Sequence, residues 1–173
     1  MSADQPGKKL GKGMLTFAWV IALGLLTAVF GRWEENQYNP NSDPESRTTG
    51  KIKEVVLQSN RQHHYVATGR INGQKVKFLL DTGASHVVIP QKLAQKLQLK
   101  PGARGYAHTA NGTVEVRATK LDSLQLGAIR LENVRASINP GMQGMEVLLG
   151  MSALKQIEFS QRGNQLTLRQ YLH

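Results

Sequence analysis

At 173 residues, the chain is long enough for one folded domain and one additional segment. Hydrophobic residues make up 40% and charged ones 20%, so a core can be buried and a wholly disordered protein is excluded. Cysteine is absent, which excludes disulfides and thiolate chemistry; the net charge of +10 is scattered without a basic run interleaved with aromatics, so it reads as a solvated surface and no nucleic-acid partner is expected.

Residues 14–31 (MLTFAWVIALGLLTAVFG) form a run of 18 residues without a charge. As a helix it is about 27 Å long, close to the hydrocarbon thickness of a bilayer. Trp33 at its outer edge suits an interfacial anchor. Lys8, Lys9 and Lys12 precede the run, whereas Arg32, Glu34 and Glu35 follow it. That asymmetry predicts residues 1–13 in the cytoplasm, a transmembrane signal anchor over 14–31, and the remainder translocated. A cleaved signal peptide fits less well, because the run exceeds the usual ~7–15 residues and no small-x-small site follows. Residues 32–51 are polar and contain Pro40, Pro44 and Gly50, a composition expected of a flexible linker. The folded domain is expected over residues 52–173.

That domain is punctuated by hairpin signals. Strand-like runs at 65–71 and 75–80 flank Asn72-Gly73, a pair suited to a type I′ turn. Runs at 106–110 and 113–119 flank Asn111-Gly112, and in the second run Val114, Val116 and Ala118 alternate with polar residues. Residues 121–126 and 129–138 meet around Gly127, and 157–159 and 165–169 around Arg162-Gly163-Asn164. Helical pattern is confined to residues 90–97, with Pro90 at the first position, and 152–156. The fold class is therefore mostly β, a small closed barrel with one or two short helices.

Within this framework stands Phe78-Leu79-Leu80-Asp81-Thr82-Gly83-Ala84-Ser85, followed by Val87-Val88-Ile89. An apolar strand delivers a carboxylate to a tight turn, and a second apolar run leaves it. Gly83 allows close backbone approach to the carboxylate, and Thr82 offers a hydroxyl beside it. A plain β-turn, in which Asp81 bonds only nearby amides, is the simpler alternative. The apolar runs on both sides favour a functional carboxylate.

This block resembles the active-site motif of aspartic proteases, hydrophobic-hydrophobic-Asp-Thr-Gly-Ala/Ser. The resemblance spans residues 52–170. It includes a hairpin tip at Thr109, Ala110, Asn111 and Gly112 where the family has its flap. It also includes Val147-Leu148-Leu149-Gly150 as the second hydrophobic-Gly element. The chain is most similar to single-motif bacterial retropepsin-like proteins with an N-terminal anchor, which implies an inner-membrane protein with a periplasmic protease domain.

The resemblance implies Asp81 as the catalytic residue, an activated water, a polypeptide substrate, and neither metal nor other cofactor. One Asp-Thr-Gly per chain, where pepsin-like enzymes carry two, implies a homodimer with Asp81 from each copy at the two-fold axis. Thr82 is expected to bond across that dimer. Ala84 stands where pepsin-like enzymes often have Ser, which implies a less acidic optimum. Met151 stands where viral retropepsins have Arg, so the dimer contacts that Arg supports need a substitute. The alternative expectation is a catalytically silent module that binds peptide or a partner at the membrane. His63, His64, His86 and His108 read as surface histidines, and Met142, Met145 and Met151 as packing residues.

Overall fold

The structure, a computed structural model, describes residues 6–109 and 112–172. The expected flap-tip residues Ala110 and Asn111 lie outside the described residues. The chain divides into two units, residues 1–37 and 38–173.

The first unit is one helix, α1 (Pro6–Tyr38), which runs on slightly into the second. It extends well past the apolar run at both ends. On the C-terminal side Glu34, Glu35 and Gln37 are good helix formers, and the helix stops at the residue before Asn39-Pro40, where the proline disfavours helical backbone. Residues 13–36 are exposed all round, so no stripe is reserved for a protein neighbour within the unit. The stretch Gly13–Tyr38 is long and apolar enough to cross a membrane.

In the second unit, β1 (Glu45–Thr49) and β2 (Ile52–Gln58) form a hairpin over Gly50-Lys51. Of the polar segment 32–51 expected to be a flexible linker, residues 32–38 continue α1 and Glu45–Thr49 is β1, with Asn39 and Asn41 buried between them. Asn41 explains how. Its Nδ2 donates to the carbonyls of Gln58 (2.9 Å) and Val66 (2.7 Å), while its Oδ1 accepts from the Gln58 N–H (2.7 Å). Its own carbonyl accepts from Thr68 N–H. Side-chain amides and strand pairing order this stretch without an apolar core of its own, which composition alone does not reveal.

The remaining elements are β3 (Val66–Ile71), β4 (Gln74–Leu80), β5 (Val87–Pro90), α2 (Gln91–Lys96), β6 (Arg104–Thr109), β7 (Gly112–Leu126), β8 (Ile129–Asn139), β9 (Glu146–Leu149), α3 (Met151–Leu154), β10 (Glu158–Arg162) and β11 (Gln165–Tyr171). The Asn72-Gly73 turn has φ of 48° and 81°, as a type I′ turn requires. One sheet runs β3-β4-β9-β5-β8-β7-β6, and an extra β3–β7 pairing closes it into a barrel from which β6 projects as a free edge. The seam is tight: a Cβ on Gly69 would lie 2.3 Å from the Gln125 carbonyl oxygen. The second sheet, β1-β2-β11-β10, is tied by Arg169, whose guanidinium donates to Glu54 at 2.7 Å. The core is continuous, with Phe78, Ile71, Ile89, Leu121, Leu149 and Leu168 fully enclosed.

Candidate active site

Strands β4 and β9 run parallel, with Leu80 opposite Leu149, and their ends deliver the two motifs to the same place. Phe78 and Val147 are buried beneath them, which anchors both strands in the core. The turn after β4 is then held at several points. The Asp81 N–H donates to the Leu149 carbonyl (3.2 Å), and the Ala84 N–H to the Asp81 carbonyl (3.2 Å). The Met151 N–H donates to the Ala84 carbonyl at 2.8 Å. Ser152, nearly buried, accepts from the Val87 N–H at 2.9 Å and donates to the Arg135 carbonyl at 2.7 Å. One hydroxyl thereby joins β5, α3 and β8 behind the turn.

Gly150 is the wedge in this arrangement. A Cβ there would sit 2.2 Å from the His86 carbonyl oxygen and 2.5 Å from that of Ala84. No side chain larger than hydrogen fits between those two carbonyls. On the other side, the Gly83 N–H donates to Asp81 Oδ1 at 2.9 Å. The local amide bond of a plain turn is therefore present, and it fixes the plane of a half-buried carboxylate. Among the described residues no protein donor reaches Asp81 Oδ2. Thr82 and Ser85 are exposed beside it, and Ala84 is half-buried.

The carboxylate lines a cleft of about 740 Å³. Its lining includes Gly83, Ala84, Ser85 and His86 from the turn, residues 103–108, and Val88, Ala136 and Leu148. Six consecutive residues, 103–108, line the cleft. β6 is the terminal strand of its sheet, so one of its edges is unpaired among the described residues. The hairpin expected to be a flap is observed as β6 and β7, with Thr109 paired to Gly112.

A family described as "gag-polyprotein putative aspartyl protease" matches residues 67–156, which include both Asp81 and Gly150. The chain belongs to that family. It is 32% identical over 121 residues to an uncharacterized protein from the cobV 5′ region of a Sinorhizobium species, covering 68% of this chain and 52% of that one. It is 27% identical over 119 residues to an uncharacterized protein of Rickettsia prowazekii, covering 66% and 50%. The chain therefore spans about half the length of these relatives. Among solved structures, the retropepsin-like aspartic protease of Rickettsia conorii matches with a TM-score of 0.61 at 25% identity, covering 73% of this chain and 98% of that one. The fold is that of a retropepsin-like aspartic protease, mostly β with a closed barrel, preceded by an apolar helix.

In this retropepsin-like chain Asp81, Gly83, Ala84, Ser85 and Leu148 line the cleft, Thr82 stands in the same turn, and Leu149 and Gly150 lie against that turn from behind. His86 and His108 are exposed as expected, and both also line the cleft. Met151 packs against the core, whereas Met145 is partly exposed. Sequence reasoning gave no part to Ser152, nor to Ala103, Arg104, Tyr106, Ala136 and Ser137 in the cleft. Ser152 carried one available signal: a lone hydroxyl two residues past the wedge glycine, at the start of an apolar helix.

Proposed function

We propose that the chain is an aspartic endopeptidase that acts as a homodimer, with Asp81 and its counterpart in a second copy sharing one active site. The observation that carries this reading is the rigidly clamped Asp81 turn opening onto a cleft bordered by a free strand edge. Two carboxylates a few ångströms apart cannot both ionise at low cost, so the pair holds one proton and titrates as a unit. The ionised member acts as general base on a water lying between them. The protonated member polarises the scissile carbonyl and then supplies a proton toward the leaving amine. Thr82, exposed next to Asp81, is available to brace the two turns against each other.

The substrate is an extended polypeptide that adds to β6 as a further strand, with backbone hydrogen bonds supplying register. Ala84 contributes no hydroxyl to the ionised pair, so the optimum lies at less acid pH than in pepsin-like relatives. The helix α1 anchors the chain in a bacterial inner membrane, with Lys8, Lys9 and Lys12 keeping the N-terminus cytoplasmic and the protease domain periplasmic.

The test compares the whole chain with its Asp81→Asn variant in detergent micelles, using an unstructured protein as substrate from acid to neutral pH. Cleavage by the wild type alone, rising more steeply than linearly with protein concentration, is the expected result. Absence of cleavage by a demonstrated dimer would support instead a silent peptide-binding module.

A further inference from the structure

The cleft and the β6 edge together restrict what kind of polypeptide fits. In β6 the residues alternate in burial: Gly105 and Ala107 are half-buried, whereas Arg104, Tyr106 and His108 are exposed. The cross-strand register puts Gly105 opposite the buried Val116. It puts His108 opposite Thr113, and their side chains meet at 3.0 Å. Arg104 contacts Glu115 at 3.6 Å and lies opposite Arg117. The two faces of this hairpin therefore differ in chemistry. One is made of glycine, alanine and valine; the other carries two arginines, a histidine, one glutamate and an aromatic ring that is 76% exposed, and β6 residues of both faces border the cleft.

A peptide that extends the sheet at β6 inherits the same alternation, because successive side chains of a strand point to opposite faces. On the inner face the walls contributed by Ala84, Ala103, Ala107, Ala118 and Ala136 are single methyl groups. They leave the volume of the cleft to the incoming side chains, with Val88, Val116 and Leu148 as the larger apolar residues of the lining. On the outer face the incoming side chains pass the Arg104, Tyr106 and His108 row. The Arg104–Glu115 pair is loose and exposed (69% and 47% for the two side chains), so a peptide carboxylate can take over the guanidinium at little cost. Among the described cleft-lining residues Asp81 is the one carboxylate, and the chain as a whole carries a net charge of +10.

We propose that the cleft selects an extended polypeptide in which large apolar residues, pointing inward, alternate with acidic residues, pointing outward along β6. The proposal rests on the peptide-binding part of the function above and adds the chemical class of the peptide.

The test separates binding from cleavage. Three dodecapeptides carry Phe or Leu at every second position, with Glu, Gln or Lys at the others. A fourth has the composition of the Glu peptide arranged in two blocks. Binding of each to the Asp81→Asn variant of the whole chain, in neutral-detergent micelles, is followed by fluorescence anisotropy. The expected order is Glu, then Gln, then Lys, with about tenfold between the extremes at low salt and less as salt rises. Arg104→Glu in the same background should remove or invert that order. Equal affinity for the Glu and Lys peptides, equal affinity for the block peptide, or no binding of any would overturn the proposal. A wild type that cleaves none of the peptides while the binding order holds would sink the peptidase function and leave this inference standing. Indiscriminate cleavage with no binding order would do the reverse.

Discussion

The turn that carries Asp81 and the β6–β7 hairpin opposite it border the same cleft, yet they are held in contrasting ways. The turn is fixed by backbone bonds to Leu149 and Met151, by the Ser152 hydroxyl, and by a glycine wedged between two carbonyl groups. Buried strands lie on either side of it. In the hairpin β6 is paired to β7 on one edge and its other edge is open among the described residues; Arg104, Tyr106 and His108 are exposed, and Arg104 and His108 meet Glu115 and Thr113 at the surface. The difference suits a site in which a carboxylate must be positioned to a fraction of an ångström while its cover admits and releases a chain. The turn is held by backbone crowding and buried hydrogen bonds, whereas the hairpin leaves one strand edge unpaired among the described residues.

The strongest way to break this contrast is Gly150→Ala. The new methyl would meet the carbonyl oxygens of Ala84 and His86, both backbone atoms of the turn between β4 and β5. The expected cost is about 4 kcal/mol, a large share of a small domain's stability. Thermal unfolding of the variant beside wild type reads it directly; an unchanged midpoint would show that the wedge yields.

Hydrogen exchange sharpens the contrast without mutation. The amides of Asp81, Val87 and Met151 should exchange about a hundredfold more slowly than the open-edge amides of β6 in the native state. Equal protection would mean the hairpin is as rigid as the turn.

A smaller effect is expected for Ser152→Ala, which leaves the buried Val87 N–H without an acceptor and the Arg135 carbonyl without its donor. About 2 kcal/mol should be lost, lowering the melting temperature by about 8 °C. If Ser152→Thr restores the midpoint while Ser152→Ala does not, the hydroxyl is the operative group.

The smallest effect on stability belongs to Tyr106→Ala, within about 0.5 kcal/mol, since the ring is exposed. Its expected signature is weaker peptide binding at unchanged melting temperature. A clear fall in stability would place that ring in the fold and not in recognition.

Much of this molecule is legible in its sequence, for physical reasons that can be named residue by residue. The Asn72-Gly73 pair tolerates positive φ at both positions, so its hairpin is specified locally. The alternation of Val114, Val116 and Ala118 marks a half-buried strand, and the uncharged run within α1 marks a helix able to cross a bilayer. The Asp81-Thr82-Gly83 motif between apolar runs pointed to the turn that lines the cleft.

Other features depend on partners distant in the chain, and no local pattern carries them. Asn41 looks like a linker residue until its amide finds Gln58 and Val66. Gly150 is marked by the hydrophobic-Gly pattern, but the reason it must be glycine is visible only where the carbonyls of His86 and Ala84 come against it. Ser152 acquires a purpose only when β8 presents the Arg135 carbonyl. Periodicities, turns and chemical groups can be read along the chain, because they follow from backbone preferences and side-chain alternation. That β6 ends its sheet as an open edge, on the cleft that Asp81 also lines, cannot, because strand order is set by which faces must be buried together across the whole barrel.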